Sequence, residues 1–194
     1  MNIALNIVIL LVGLITSFLS FVVMISFLIY VIRRKPLPKK LLIAPATAAV
    51  VLGILVASSY LFYSFTAIDR NSTQPGSGPV LSSDGSYEAI ATYELYGGTV
   101  GGVNVWVDVR NIDTEDVKTI YYADAVGQVE LDWVDDTTIA IWNEDLGAPA
   151  RNYNAKLNVE TEIFHDRGRA CWSLLLKPTY ENCYSESMMS SSVE

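Results

Sequence analysis

The chain has 194 residues, is 51% hydrophobic and carries a net charge of −8. That total conceals a division, because residues 33–40 contain five basic side chains while the part from Asp69 onward contains 8 basic and 21 acidic ones. So acidic a region does not bind nucleic acid or anionic lipid through its general field. It is compatible with cationic partners, with metal ions or with a role in solubility alone.

The first 68 residues contain two long apolar runs, 3–32 and 41–65, and neither holds a charged side chain. Because a helix crosses a bilayer with roughly 20 apolar residues, the pattern predicts a two-helix transmembrane hairpin. The short basic loop 33–40 places the connection in the cytoplasm. The side chains that orient the hairpin are Arg33, Arg34, Lys35, Lys39 and Lys40. The prediction is a multi-pass protein of the cytoplasmic membrane with both termini outside.

The second apolar run carries small residues four positions apart, at Ala49, Gly53 and Ala57. Such a face lets helices approach closely, so it predicts helix packing within the hairpin or between copies of the chain. Neither run contains an ionisable residue of the kind that ion and proton pathways use. We therefore interpret the hairpin as an anchor in the lipid bilayer rather than as a conduit.

Polar segments delimit the rest of the chain. Residues 69–82, rich in Ser, Gly and Pro, predict a flexible linker, and the polar residues 185–194 predict a disordered tail. Between them, residues 83–184 are long enough for one modest external domain.

Alternation of apolar and polar residues predicts that this domain is built from strands. The two longest alternations cover 87–95 and 103–110, and the glycine-rich residues 97–102 between them suit a chain reversal. Shorter alternations follow at 117–123, 129–133 and 138–142, and another begins at 157. Because every connection is short, the predicted fold class is an antiparallel β meander of about 5–7 strands, attached to the transmembrane hairpin.

Cys171 and Cys183 are the only two cysteines. On the predicted outer side an oxidising environment favours a disulfide, and closing this loop contributes about 3 kcal/mol by the chain-entropy argument. Two unpaired thiols and a metal site are the alternatives, although the spacing matches no zinc pattern.

Few other residues suggest chemistry. His165, the only histidine, adjoins Asp166, but neighbours in a strand point to opposite faces, so we interpret it as a surface histidine rather than a general base. Asp132, Asp135 and Asp136 are the candidate ligands for a hard cation such as calcium, and Asp is also a common turn residue. We predict no catalytic residue and no cofactor.

Trp106 and Trp142 fall on the strand faces opposite their aliphatic neighbours. If the sheet has one solvent-exposed face, the two rings contribute to a patch for a protein, peptide or glycan partner. If both faces are covered, the rings belong to the core. The sequence leaves both interpretations open.

Several turn and core motifs occur in a characteristic order. They are Ser83-Asp84-Gly85-x-Tyr87, Gly97-Gly98-Thr99, Ile120-Tyr121, Leu131-x-Trp133-x-Asp135-Asp136-x-Thr138-Ile139, Leu157-x-Val159 and Phe164. Over residues 82–167 this order resembles a family of small envelope proteins of Gram-positive bacteria catalogued only as a domain of unknown function. The resemblance implies no activity and no catalytic residues.

The predicted function is that of a membrane-anchored envelope protein whose acidic β domain binds, senses or assists a membrane or envelope protein partner. One alternative is a metal-assisted hydrolase that uses the acidic turns and His165. Another is a small membrane immunity or stress protein that acts through the hairpin itself.

Overall fold

The computed structural model describes residues 11, 13, 15, 17–18, 21–27, 39–65, 73–96, 101–125, 127–143 and 153–186. The chain divides into two units, Met1–Phe62 and Tyr63–Glu194.

The first unit contains the helix Lys39–Leu61, 23 residues long. Its sequence is rich in Ala and Leu, which favour helix, and in β-branched residues, which favour it less. Near its end the hydroxyls of Ser58 and Ser59 donate to the backbone carbonyls of Leu55 and Val56, three residues earlier. These bonds satisfy polar side chains inside an otherwise apolar helix.

The predicted transmembrane hairpin is corrected by the structure. Within the described residues, no helix combines the length and the apolar character that crossing a membrane requires. This finding overturns the hairpin, the membrane anchor and the multi-pass localisation.

Most of the remaining hairpin residues lie outside the described part of the chain. They include most of the first apolar run and the orienting residues Arg33, Arg34 and Lys35, together with the side chains of Lys39 and Lys40. Helix packing through Ala49, Gly53 and Ala57 stays a prediction.

The second unit is mostly β. Its described residues form ten strands: β1 (Thr73–Pro75), β2 (Val80–Leu81), β3 (Tyr87–Tyr96), β4 (Gly102–Asn111), β5 (Val117–Asp124), β6 (Glu130–Trp133), β7 (Thr138–Trp142), β8 (Ala155–Asn158), β9 (Glu162–His165) and β10 (Asn182–Tyr184).

The strands form two sheets. The large sheet has seven strands in the order β1-β3-β4-β5-β9-β10, with β2 also paired to β3, and the small sheet has the order β6-β7-β8. Strands β1 and β2 lie inside the predicted linker 69–82, and the structure differs there because both pair with β3.

The meander prediction required every strand pair to be antiparallel, and the structure corrects it. Strand β9 runs parallel to both β5 and β10. Parallel neighbours need a connection of a dozen residues or more. The whole small sheet supplies that connection between β5 and β9, and the segment 166–181 supplies it between β9 and β10. The short β6–β7 turn is therefore a local reversal inside one long crossover.

The core lies between the two sheets. Val107, Tyr121 and Phe164 of the large sheet and Ile141 and Leu157 of the small sheet are all buried in one hydrophobic cluster. The rings of Tyr121 and Phe164 stack with centroids 5.1 Å apart. Burial of this apolar surface is the main force that holds the sheets together.

Candidate functional site

The outer face of the small sheet carries the exposed aromatic residue Trp142. Along β7 the side chains of Ile139 and Ile141 point into the core, and those of Ala140 and Trp142 therefore point outward. Trp142 is 48% exposed. A large apolar ring held outside the core is the first requirement of a binding surface.

Charged side chains surround this ring because of the strand register. Glu130 lies opposite Trp142, and Asp132 lies opposite Ala140, on the neighbouring strand β6. On the other side, Lys156 of β8 lies opposite Ala140. Directly opposed residues of an antiparallel pair share one face of the sheet. The outer face therefore has two carboxylates on one side of the aromatic centre and a lysine on the other.

A shallow groove of about 360 Å³ runs across this surface. Its lining includes Val134 and Trp142 as exposed apolar groups and Asn154 and Lys156 as polar ones. A mostly apolar groove with a few placed polar groups is the usual form of a binding site. We call the surface formed by Glu130, Asp132, Val134, Ala140, Trp142, Asn154 and Lys156 the Trp142 face.

The residue after Trp142 fixes the face to the large sheet. Asn143 is fully buried, and its side-chain amide donates to the Tyr121 hydroxyl and to the Asp124 carbonyl, both at 2.8 Å. Its backbone N–H donates to the Asn154 side-chain oxygen at 2.6 Å. The Tyr121 hydroxyl in turn donates to the Tyr153 carbonyl at 2.8 Å. This network holds the strand that carries Trp142 in one position.

Trp106, the other tryptophan proposed for partner binding, lies in the core and is 1% exposed. It lies on β4, where residues 105–109 are all buried and both faces of the sheet are therefore covered. Across the sheet it pairs with Tyr122, whose own neighbour His165 packs against the rings of Tyr63 and Phe65. Of the two interpretations that the sequence left open, the core applies to Trp106, and of this pair only Trp142 is exposed.

The three candidate metal ligands do not converge. Asp135 shapes the turn between β6 and β7: its Oδ1 accepts hydrogen bonds from the backbone N–H groups of Thr137 and Thr138 at 2.9 and 2.7 Å. These bonds lower the pKa of the Asp135 carboxyl. Asp132 lies on the sheet face and Asp136 is exposed in the turn. In the described part of the chain, no group of three His, Cys, Asp or Glu side chains is placed to hold a metal ion.

His165 is buried rather than at the surface, and it contacts Asp166. The imidazole Nδ1 lies 3.1 Å from the Asp166 carboxylate, because β9 ends at His165 and the strand alternation ends with it. Burial opposes ionisation of Asp166, but the hydrogen bond and charge of His165, together with the backbone N–H and charge of Arg167, outweigh it and lower the pKa of the carboxyl. The Tyr63 and Tyr122 rings lie with centroids 5.2 Å from the imidazole. Enclosed in this way, the pair is suited to support the fold rather than to meet a substrate.

Cys171 and Cys183 form a disulfide, as predicted. It joins the 3₁₀ turn Ala170–Trp172 to β10. The free-thiol and metal alternatives are therefore excluded for this pair.

Sequence reasoning missed most of the Trp142 face. Val134, Asn154 and Lys156 are too far apart in sequence for a local pattern to join them, and the β6–β7 and β7–β8 pairings together bring them to one surface. One signal was available: Lys156 alternates with Ala155 and Leu157, which places it on the outward face of its strand.

The chain was compared with families, curated proteins and solved structures. A family model described as "Family of unknown function (DUF5412)" matches residues 39–164. Neither the curated proteins nor the solved structures contain a match.

Proposed function

The chain belongs to the family of unknown function DUF5412, and because that membership assigns no activity, we propose that its β unit is a protein-binding module. The binding surface is the Trp142 face. The partner is a polypeptide segment with an apolar side chain that packs on Trp142 and basic side chains that meet Glu130 and Asp132.

The exposure of Trp142 carries this proposal. Tryptophan is among the residues that contribute most to protein interfaces, particularly when an apolar surface and a polar rim surround it. Here Val134 and Ala140 extend the apolar surface, and the carboxylates and Lys156 form the rim. The Asn143 network keeps the strand in place, so little ordering cost accompanies binding.

Charge supports a basic partner. From Asp69 onward the chain has 8 basic and 21 acidic residues, so its field attracts cationic segments and accelerates their association. Lys156 gives the rim a second sign of charge and so defines the orientation of the partner.

The hydrolase alternative finds less support. It requires an accessible His165 and converging carboxylates, whereas the described residues bury the imidazole and distribute Asp132, Asp135 and Asp136 over a sheet face and a turn. We therefore retain binding as the single proposal.

The test identifies the partner first and then measures its affinity. A photo-crosslinking residue at Val134 of the full chain captures the partner, which is identified by mass spectrometry, purified and titrated by calorimetry. We expect Trp142→Ala to weaken binding at least about tenfold, as loss of an interface anchor does. Asp132→Asn should slow association and reduce its dependence on salt.

Trp172→Ala serves as the matched control, since Trp172 is also an exposed tryptophan of the same unit. An affinity that Trp142→Ala leaves unchanged, or that both substitutions lower equally, would contradict the proposal.

A further inference from the structure

The loop between β9 and β10 reverses the usual pattern of burial. Trp172 is 68% exposed and Leu174 and Leu175 are each about half exposed, whereas the polar residue between them, Ser173, is 0% exposed. Soluble surfaces seldom present three large apolar side chains together. We call residues 170–180 the apolar loop.

Specific bonds hold the apolar loop in this inverted state. The Ser173 hydroxyl donates to the Tyr63 carbonyl and accepts a hydrogen bond from the Leu175 N–H at 3.1 Å. The Cys171–Cys183 disulfide closes the base of the loop. At its far end the buried Tyr180 hydroxyl donates to the Thr119 carbonyl at 2.9 Å. Because the Ser173 hydroxyl and both ends of the loop are bonded to the interior of the unit, the apolar side chains remain exposed.

Within the apolar loop itself, Lys177 is the one charged residue. Residues 167–180 contain Arg167, Arg169 and Lys177 and no acidic residue. Arg167 lies within 4 Å of Asp124 and Asp166, which offset part of its charge, and Lys177 is exposed. The loop is therefore an apolar area that carries the exposed Lys177, with the exposed Glu181 directly after its last residue.

A groove of about 530 Å³ extends the apolar surface next to the loop. Phe65, Val117, Leu176 and Tyr180 line it, together with the polar residues Ser64, Lys118, Thr119 and Thr179. Val117 is itself exposed.

We propose that the apolar loop docks on a lipid bilayer, with Trp172, Leu174 and Leu175 inserted at the headgroup level and Lys177 near the lipid phosphates. Tryptophan prefers this interface, aliphatic side chains gain free energy from insertion, and lysine is attracted to anionic headgroups. The contact is peripheral and needs no spanning helix. It uses a different surface from the Trp142 face and does not depend on the function proposed there.

Two features favour lipid over a protein partner. The exposed side chains of the loop are apolar or cationic apart from Thr179, and the Ser173 hydroxyl is turned inward, so the loop presents to the headgroup layer mainly the groups that this layer binds. The acidic remainder of the unit repels an anionic surface, which confines the contact to this one area.

The test measures quenching of tryptophan fluorescence by brominated lipids, using the full chain and vesicles of phosphatidylcholine with phosphatidylglycerol. Bromine quenches only rings that reach the bilayer, so a lipid contact made by another segment leaves Trp172 emission unchanged. We expect the wild-type protein to be quenched, Trp172→Phe to lose most of that quenching, and Trp142→Phe to retain it.

A second variant separates insertion from folding. Leu174→Ser combined with Leu175→Ser keeps Trp172 and should lose its quenching, while circular dichroism and the urea midpoint confirm the fold. Quenching that is absent from the wild-type protein, or unchanged in Trp172→Phe, overturns the proposal. So does a loop covered by a second copy of the chain, seen as a dimer by sedimentation that Trp172→Ala dissociates.

Discussion

Strands β4 and β7 both alternate apolar and polar residues and each carries a tryptophan, yet Trp106 is buried and Trp142, at the end of β7, is exposed. Strand β4 lies in the middle of the seven-stranded sheet, with the small sheet on one side and the rings of residues 63–65 on the side of Tyr122 and His165. Strand β7 lies in the centre of a three-stranded sheet with one face toward the core. The number of layers around a strand, which alternation does not encode, decides whether an outward ring is core or binding surface.

The comparison extends to what each tryptophan does. Trp106 contributes to stability through packing, and Trp142 is available for a partner because the fold does not need it. Substitutions that separate stability from binding can therefore test the distinction.

The largest expected effect is that of Trp106→Ala. Removing a fully buried ring costs about 3–5 kcal/mol of unfolding free energy, whereas Trp142→Ala should stay within about 0.5 kcal/mol. Urea denaturation followed by circular dichroism measures both. Similar losses in the two variants would show that Trp142 is also part of the core.

Removal of the disulfide comes next. Cys171→Ser with Cys183→Ser should destabilise the unit by about 3 kcal/mol, because a loop of this length is no longer closed in the unfolded chain. The urea midpoint of the reduced wild-type protein should match that of the double variant. If reductant also shifted the urea midpoint of the double variant, its effect on the wild-type protein could not be assigned to this disulfide.

Asn143→Ala should cost about 1–3 kcal/mol, since it removes the amide that joins β7 to the Tyr121 hydroxyl and the Asp124 carbonyl. Hydrogen exchange should show faster opening of β7 than of β4 in this variant. Asn182→Ala, at an exposed position of β10, is the control and should leave both unchanged.

The smallest effect concerns pH. Asp84 accepts hydrogen bonds from the Ser86 hydroxyl, the Ser86 N–H and the Ser82 hydroxyl, which lower its pKa from 3.8 to about 2. The stability that this turn contributes is complete above the unfolded value of 3.8 and is lost as pH falls toward 2. The difference in melting temperature between wild type and Asp84→Asn should narrow over that range.

Asp135→Asn, in the corresponding turn of the small sheet, is the matched comparison. The pKa of the wild-type Asp135 carboxyl is lowered as well, so the difference in melting temperature between wild type and Asp135→Asn should also narrow on acidification. If the difference in melting temperature between wild type and either variant grew as the pH fell, the predicted direction of the pH dependence would be wrong for that residue.

Local patterns predicted the long strands and the disulfide. Alternation at 87–95 and 103–110 corresponds to β3 and β4 in the structure, because long strands with a buried face impose period two on the sequence. Cys171 and Cys183 were the only pair available. Short strands were missed: β1 and β2 have two or three residues each and exist through pairing with β3.

What depends on the arrangement of layers could not be predicted. The parallel position of β9 requires knowing that β6, β7 and β8 form a separate sheet. The contact between His165 and Asp166 requires knowing that β9 ends between them. Apolar composition alone predicted a membrane span, and within the described residues no helix has the length and apolar character for one. The Trp142 face joins residues of three strands, which no short stretch of sequence contains.

The order of the large sheet has a consequence for self-association. Its outermost strands, β1 and β10, have only three residues each, and β1 ends in Pro75, which has no N–H to offer a neighbouring chain. The edges of the small sheet, β6 and β8, carry Glu130, Asp132 and Lys156. Long uncharged edges recruit further strands and lead to fibrils, and short, proline-ended or charged ones do not. The described edge strands of both sheets therefore disfavour pairing with a strand of another molecule.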